Sequence, residues 1–460
     1  MKSKKLIYTS LTLLLIIALI PLTYKNIHKK EQVQKTKKIT ATVLSTKKGK
    51  LTVQDTKNII YTFNVEDNNK EIDVGSNILL NYTGLLDKNT QDQKAKVTNY
   101  DSITVSNDED GIPISWLDNG IFSDFYILAK NKIESMTLDE KIGQLFLVRY
   151  PDNNAIEDLK KYNFAGYIFF EKDFKDKTKT EVQNMINNLQ QASKIPILTA
   201  VDEEGGKVVR VSSNPNLAPS KFKSPQELYN LGGFNLIKQD TIDKSKILNE
   251  LGLNLNLAPV VDVSTDSNDY IYERTLGQDS EQTSIYAETV IEASKGTNVS
   301  YTLKHFPGYG NNKDTHNAIT TDNRSYESIM KNDIPPFKAG IDKNAEAVLV
   351  SHNITTNIDK TNPASLSPSI HNILRNELDF TGIIMTDDLS MGAISNIDNA
   401  TVKALLAGND LIITTDYKES IEQVKNALSD GTINEELINK LAFRVIAWKY
   451  YKGLMFEIHK

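Results

Sequence analysis

The pattern of hydrophobic and polar positions divides the chain into three unlike parts. After a charged start, the run from Leu6 to Tyr24 contains no charged residue, and a basic, polar segment follows it. Short alternating runs separated by turn residues then extend to about residue 106, which is typical of β-strands. From about Phe122 onward, helical patterns alternate with short apolar runs, which indicates buried parallel strands.

Eight apolar runs in the third part predict a parallel α/β architecture. They are, in chain order, GQLFLV, AGYIFF, PILTAV, LNLNLAPVV, VSYTLK, AVLVSH, GIIMT and DLIITT. Amphipathic segments such as TKTEVQNMINNLQQAS lie between them. Eight regular β–α units favour a (β/α)8 TIM-type barrel over residues 122–460, because doubly wound sheets rarely need so many. An open α/β sheet stays as the alternative.

The second part predicts a small all-β domain over residues 38–106. Its five runs are KITATVLST, GKLTVQD, IIYTFNV, NILLNYTGLL and KVTNYDSITV, and several short strands in sequence suggest a barrel or sandwich. A basic linker, 25–37, precedes this domain, and a polar linker, 107–121, follows it. The domain contains no cluster of catalytic residue types, so we interpret it as a spacer or docking module.

The uncharged run at the start predicts attachment to a membrane. At 1.5 Å per residue, a helix of about 19 residues crosses a bilayer core of about 30 Å. A cleaved signal peptide is the alternative, but the bulky stretch IPLTYKN does not resemble a small-residue cleavage site. We therefore expect residues 1–24 to form a single-pass anchor, with the catalytic domain outside the cytoplasm. If the segment is cleaved, the protein is secreted.

Composition narrows the expected partners. Of 460 residues, 39% are hydrophobic and 24% charged, which is ordinary for a globular protein, and the net charge of −6 gives no reason to expect nucleic acid. The chain has no cysteine, which excludes disulfides, thiolate metal sites and a lipid anchor on cysteine. We expect a monomer that needs no cofactor.

Ionisable side chains occur where the predicted barrel strands end. In a (β/α)8 barrel, the active site is built from residues at the C-terminal ends of the strands. The residues at these ends are Asp202, Asp262, Lys304, His305, Ser351, His352, Asp387 and Asp388. This clustering predicts an active site at that end of the barrel.

Two chemistries fit these residues. A metal centre would use His305, His316 and His352, but Lys304 would place a cation beside the metal, and no HxH or HExxH spacing occurs. We therefore expect no metal. The second chemistry is glycosidic, which needs a carboxylate nucleophile and a separate proton donor.

The glycosidic interpretation assigns these two groups to different segments. Asp387 lies at a strand end, where its carboxylate is held rigidly. Asp314 precedes His316 by two residues on a loop, so it can orient the imidazole and stabilise its charge.

Seven motifs, in order from about Glu134 to the C terminus, resemble those of glycoside hydrolase family 3, especially its bacterial β-N-acetylglucosaminidase branch. They are MTLDEKIGQLF, VDEEGGKVVR, NLAPVVDV, YERTLG, KHFPGYGNNKDTH, NPASLSPSIHNILRNELDFTG and IIMTDDLSMGAI. The first 110 residues or so lie outside the resemblance. It implies a retaining exo-β-N-acetylglucosaminidase that acts on peptidoglycan-derived carbohydrate through a covalent glycosyl-aspartate.

Matched motif by motif, the resemblance implies roles for individual residues. Asp387 becomes the nucleophile and His316 the general acid/base, with Asp314 orienting His316. The residues that hold the sugar become Asp202, Arg210, Arg274, Lys304 and His305. For Arg210 and Arg274, structural ion pairs at the rim are the alternative. Asp262 and His352 serve equally well as packing residues.

The chain departs from the family pattern at three positions. Tyr309 replaces the histidine usual in KHFPGHG, Thr315 replaces a serine, and Lys207 replaces a common arginine. None of these changes removes a catalytic group, but Tyr309 alters the expected loop conformation and leaving-group contacts. Two alternatives stay open: an N-acetylglucosaminide phosphorylase, and a weakly active protein that binds wall sugars.

Overall fold

The computed structural model describes most of the chain beyond residue 36. The described ranges are 37–47, 49–55, 59–65, 77–87, 92–102, 110–118, 120–310, 320–394 and 396–456. The expected anchor at 1–24 and the expected loop residues Asp314 and His316 lie outside these ranges, so they stay predictions. Within the described ranges, no helix is both long and apolar enough to cross a membrane.

A six-stranded sheet forms the N-terminal part of the described chain. Its strands are β1 (Lys37–Lys47), β2 (Lys50–Asp55), β3 (Ile60–Asn64), β4 (Asn77–Thr83), β5 (Asp92–Gln93) and β6 (Lys96–Ser102), in the order β5-β3-β2-β1-β4-β6. All pairs are antiparallel except β3 with β5. Alternate residues such as Val43, Val53 and Leu80 are buried in a core of the sheet's own, as the alternating pattern predicts.

The sequence predicts five of these six strands. The two-residue β5 is too short and too polar to be recognised by alternation, and it pairs with β3 only at Thr62 and Phe63. The boundaries of a separate domain at 38–106 stay a prediction.

An eight-stranded parallel barrel forms the rest of the fold, as expected. Its strands are β7 (Phe146–Arg149), β8 (Gly166–Phe169), β9 (Leu198–Val201), β10 (Leu255–Asn256), β11 (Ser300–Phe306), β13 (Ala347–Val350), β15 (Ile383–Thr386) and β16 (Ile412–Thr414), with the short strands β12 (Thr321–Asp322) and β14 (Ile354–Thr355) outside it. Leu411, just before β16, bonds to Ile384 and Thr386 of β15, and these bonds bring the two sheet edges together.

One barrel strand is much shorter than its apolar run. The run LNLNLAPVV predicts nine residues, but only Leu255–Asn256 forms β10. Pro259 lacks a main-chain N–H and cannot continue a regular ladder. The side chain of Asn254 instead accepts the N–H of Thr199, and that of Asn256 accepts the N–H of Glu203. These asparagine side chains replace ladder bonds to β9 and its C-terminal loop.

Helices follow most of the barrel strands and cover the outside of the barrel. The α-helices are Tyr126–Glu134, Leu138–Gly143, Ala155–Tyr162, Glu171–Phe174, Lys179–Ala192, Pro225–Glu250, Ser280–Ser294, Tyr326–Asn332, Ile334–Asp342, Pro368–Asn372, Ala400–Ala407, Tyr417–Ser429 and Glu435–Tyr451, and Ile373–Glu377 is a π-turn. Capping boxes begin three of them, at Thr137, Thr178 and Ser224. The side chain of each of these residues accepts a main-chain N–H of the first helical turn, where no helical carbonyl is available as a partner.

The last helix, Glu435–Tyr451, closes the barrel opposite the strand ends that carry the polar cluster. Its Trp448 is fully buried, and its Phe443 lies 5.1 Å from Trp116 between ring centroids. Trp116 and Ile112 belong to the buried core of the barrel. Part of the segment expected as a polar linker therefore packs against the barrel.

Candidate active site

The side chains at the C-terminal ends of the barrel strands surround one cavity of about 620 Å³. Seven residues that the sequence predicts at this rim line it: Asp202, Arg210, Arg274, Lys304, His305, Asp387 and Asp388. The structure thus brings the predicted sugar-binding residues and the predicted nucleophile together. The volume of the cavity falls in the range of small-ligand pockets.

A buried ion-pair cluster forms one wall of the cavity. Lys304 Nζ lies 2.7 Å from Asp202 Oδ1 and 2.6 Å from Glu204 Oε1. Arg274 binds both oxygens of Glu204 through its Nε and Nη2, at 2.9 and 2.7 Å. These contacts link β11 and the segments that follow β9 and β10 through one carboxylate, and Glu204 therefore fixes where both cations point.

Each charge in this cluster keeps the others ionised. Burial opposes the charged form of Glu204, but Arg274 and Lys304 outweigh it and hold the pKa of the carboxyl well below its ordinary value. Burial likewise favours a neutral Lys304, yet Asp202 and Glu204 raise the pKa of its ammonium above the usual range. Two cations with fixed positions are therefore available to donate hydrogen bonds to sugar hydroxyls.

Asp262 orients His305. Asp262 Oδ2 lies 2.8 Å from His305 Nδ1 and accepts the main-chain N–H of His305 at 3.1 Å, while Oδ1 accepts the N–H of Tyr309 at 2.6 Å. The ring therefore carries its proton on Nδ1, and Nε2 can accept from Arg274 Nη2 at 3.3 Å. Asp262, which the sequence left open between function and packing, is a positioning residue.

The two adjacent carboxylates after β15 have different surroundings. Asp388 accepts the N–H of Ser390 at 2.8 Å on Oδ1 and the hydroxyl of Thr415 at 2.8 Å on Oδ2, which ties the loop together. Asp387 Oδ1 accepts only the N–H of Asp388 among the bonds that the described part of the chain supplies to it. Asp387 is therefore the less constrained of the two carboxylates.

The charge of Asp387 is stabilised by its neighbours. Burial favours the neutral acid, but His352, His305, the N–H of Asp388 and Lys304 together lower the pKa of the Asp387 carboxyl below its ordinary value. An ionised carboxylate is the form that attacks an anomeric carbon.

His352 is held from both ring nitrogens. Its Nε2 lies 3.0 Å from the carbonyl oxygen of Asp388, and its Nδ1 lies 2.8 Å from Ser365 Oγ. The carbonyl can only accept, so Nε2 donates, and Nδ1 shares its hydrogen bond with the serine hydroxyl. Its side chain is fully buried, so His352 positions the Asp387–Asp388 turn and does not reach into the cavity.

A second buried carboxylate shapes the loop that carries Arg210. Glu203 Oε2 accepts the main-chain N–H groups of Arg210 and Val211, both at 2.7 Å, and Glu203 also binds Ser212. Glu203 is completely buried. It acts as an anion enclosed by main-chain donors, and it determines the direction in which the Arg210 side chain leaves the loop.

Sequence reasoning missed Glu203 and Glu204, and also Arg149 and Phe170 at the cavity edge. A signal existed for both, because Arg149 comes directly after the first apolar run, GQLFLV, and Phe170 ends the second, AGYIFF. The two glutamates lie beyond the strand end. Their partners, the main-chain N–H groups of the following loop and Arg274, are brought to them only by the folding of the loops.

Among the described residues, no group of three or more His, Asp and Glu side chains is arranged to hold a metal ion. The site is instead a set of carboxylates and cations around a cavity at the rim of a (β/α)8 barrel. This arrangement defines a glycosidase-type enzyme, in which one ionised carboxylate faces a sugar-sized space.

Comparison with known proteins gives the family. The model of the glycosyl hydrolase family 3 N terminal domain matches residues 137–448, and the chain belongs to this family. The protein is therefore a glycoside hydrolase.

Two relatives are both named beta-hexosaminidase. The protein from Glaesserella parasuis serovar 5 (strain SH0165) is 31% identical over 292 residues, which cover 62% of this chain and 84% of the relative. The protein from Actinobacillus pleuropneumoniae serotype 3 (strain JL03) is 31% identical over 308 residues, which cover 64% and 87%.

A solved structure agrees with the fold. The glycoside hydrolase family 3 beta-N-acetylglucosaminidase from Paenibacillus sp. str. FPU-7 superimposes with a TM-score of 0.65 at 26% identity. The superposition covers 71% of this chain and 65% of that chain.

Proposed function

We propose that the protein is a retaining exo-β-N-acetylglucosaminidase that removes terminal β-linked N-acetylglucosamine from peptidoglycan-derived fragments. The observation that carries the proposal is the ionised Asp387 in a cavity lined by Asp202, Lys304 and Arg274. The names of the relatives support N-acetylglucosamine as the sugar.

In this mechanism Asp387 attacks the anomeric carbon and the glycosidic bond breaks, which leaves the sugar esterified to the aspartate. Lys304 donates to a sugar hydroxyl, and Asp202 accepts from others while it keeps its bond to Lys304. Arg274, fixed by Glu204, donates on the same side. Because these groups are held before substrate arrives, little reorganisation is needed at the transition state.

Proton transfer belongs to His316 in this proposal, with Asp314 as its orienting partner. Both residues lie outside the described part of the chain, so the assignment rests on the motif KHFPGYGNNKDTH. A neutral imidazole avoids the repulsion that a second carboxylate would feel beside Asp387. As an imidazolium, His316 gives its proton to the leaving oxygen, and the neutral imidazole so formed then removes a proton from the water that releases the sugar.

We also propose that the uncharged run Leu6–Tyr24 holds the barrel outside the cytoplasm, where wall fragments occur. Protease added to protoplasts that express the full chain should remove the barrel. A barrel that survives while a known external protein is degraded would place it inside.

The proposed activity is tested with an aryl β-N-acetylglucosaminide, a muropeptide with terminal N-acetylglucosamine, and Asp387→Asn as the inactive control. We expect both substrates to release N-acetylglucosamine whose first-formed anomer is β by NMR. Repeating the reaction in phosphate separates a phosphorylase, because its product would be the sugar 1-phosphate. Binding of the muropeptide with no turnover of either substrate would leave only a sugar-binding protein.

A further inference from the structure

Five cations line the cavity, and three of them have carboxylate partners. Lys304 pairs with Asp202 and Glu204, Arg274 pairs with Glu204, and Lys207 pairs with Glu273 at the exposed rim. Arg149 and Arg210 differ from these three. Within the part of the chain that the structure describes, neither guanidinium forms an ion pair with a carboxylate. The cavity therefore contains two positive charges that no acidic side chain of the described ranges neutralises by contact.

The two unpaired guanidinium groups lie against the same aromatic ring. The guanidinium carbon of Arg149 is 4.4 Å from the ring centroid of Phe170, and that of Arg210 is 5.6 Å from it. All three side chains line the cavity and are half-buried. Contact with an aromatic face holds a guanidinium in place. Its N–H groups lie in the plane of the guanidinium and stay available as donors.

Arg210 has a further unsatisfied group. Among the described residues, its Nε is shielded from solvent and has no hydrogen-bond partner, and its Nη1 makes only a 3.4 Å contact with the carbonyl of Val209. Buried N–H groups are rarely left unpaired in proteins, so such a donor points to a missing acceptor. A ligand with charged oxygens supplies acceptors and also neutralises both guanidinium groups.

We propose that Arg149, Phe170 and Arg210 form an oxyanion subsite for a carboxylate or phosphate group on the sugar ligand. Arg149 ends β7 and Phe170 follows β8, whereas Asp387 follows β15 on the other side of β16. The oxyanion is therefore carried by a substituent away from the reacting carbon. This deepens the proposed function, on which it rests, by making the enzyme selective for acidic amino sugars or acidic wall fragments over neutral ones.

Direct binding tests the subsite without any need for turnover. Calorimetry on the full chain in detergent compares three free sugars: neutral N-acetylglucosamine, N-acetylmuramic acid with its carboxylate, and N-acetylglucosamine 6-phosphate. We expect at least one acidic sugar to bind about tenfold tighter than the neutral one, which corresponds to about 1.4 kcal/mol. The preference should shrink as salt is added, since an exposed ion pair is screened. Whichever acidic sugar binds more tightly shows whether the subsite takes a carboxylate or a phosphate.

Variants decide whether Arg149 is responsible. Arg149→Met keeps apolar contact with Phe170 but removes the charge, so the preference for the acidic sugar should disappear. Arg149→Lys, which keeps the charge without the paired N–H groups, should retain part of it. Lys161→Met is the matched control, because Lys161 also stacks on an aromatic ring, Tyr162, at 4.8 Å, but outside the cavity.

Two results would overturn the subsite. One is equal affinity for all three sugars in the unaltered protein, and the other is a preference that survives in Arg149→Met. A thermal melt of each variant identifies any loss of folding, and Arg149→Gln replaces Arg149→Met if that variant unfolds. The outcome is separate from the proposed hydrolysis, since a protein that prefers acidic sugars but never cleaves would contradict only the latter.

Discussion

The main-chain N–H of Asp388 donates a 2.8 Å hydrogen bond to Oδ1 of Asp387. This bond fixes the orientation of one carboxylate through the backbone of the next. Asp388 itself is tied to Ser390 and Thr415, so the turn is rigid, although both carboxylates line the cavity. The difference between these two neighbours leads to the first prediction.

Asp387→Asn should lower turnover of an aryl N-acetylglucosaminide by a factor on the order of 10⁴ or more, as loss of a nucleophile does in other enzymes. The amide is nearly isosteric, so the thermal unfolding temperature should change little. Asp388→Asn weakens loop contacts but removes no reacting group, and it should keep a much larger share of the activity. A larger loss of turnover in Asp388→Asn than in Asp387→Asn would make Asp388 the nucleophile.

The lowered pKa of Asp387 predicts how kcat/KM depends on pH below neutrality. Because the lowered pKa keeps the carboxylate ionised below the ordinary aspartate value of about 3.9, protonation of Asp387 should cause no loss of kcat/KM between pH 7 and about pH 4. Initial rates across this range, with residual activity measured at neutral pH as a check on folding, test this. An acid limb centred above pH 5 would mean that Asp387 is protonated there.

Glu204→Gln should destabilise the protein strongly. The amide cannot neutralise Arg274 and Lys304, and loss of one partner from a buried ion pair typically costs about 3–5 kcal/mol. Glu273→Gln is the matched control, since Glu273 pairs with Lys207 at the exposed rim and should cost about 0–1 kcal/mol. Denaturant titration of both variants gives the two free energies of unfolding. Equal costs would mean that Glu204 does not hold the cluster together.

Lys440 should make stability depend on pH. Burial lowers the pKa of its ammonium to about 8, although Asp55 acts in the opposite direction, whereas an unfolded lysine titrates near 10.4. Between these values the unfolded chain binds a proton that the folded chain does not, so the free energy of unfolding rises with pH.

Lys440→Met should therefore be more stable than the unaltered protein at pH 7, and this advantage should shrink by about 2–3 kcal/mol towards pH 10. Lys403→Met, on the exposed face of Ala400–Ala407, is the control for loss of a lysine. Denaturant titrations at both pH values provide the comparison. An advantage that stays constant with pH would mean that Lys440 is charged throughout.

The sequence predicts the barrel because its strands are apolar on both faces, and it predicts the cavity because strand ends meet at one rim. Asp202, Lys304, His305 and Asp387 all follow from that rule. Glu203 and Glu204 do not, since their roles depend on main-chain donors at Arg210 and Val211 and on a cation, Arg274, about 70 residues away. Such contacts depend on the conformations of the loops after the strands, which hydrophobic periodicity does not predict.

Tyr309 illustrates the same limit in a loop. The sequence marks it as a departure from the family motif without giving its consequence. In the structure Tyr309 is buried with Val260 and Ile271, and its ring lies 5.8 Å from Tyr270. The substitution therefore adds an aromatic contact at the start of the loop that carries the expected acid/base.

Peptide mapping after reaction with a fluorinated aryl N-acetylglucosaminide shows which carboxylate forms the covalent bond to the sugar. Fluorine slows both steps, and a good leaving group lets the first step outrun the second, so a glycosyl-enzyme accumulates. We predict one added sugar mass, on the peptide that contains Ile383–Thr386 and located at Asp387 by fragmentation. A label on Asp388 or another carboxylate, or no label while the substrate is consumed, would contradict the account.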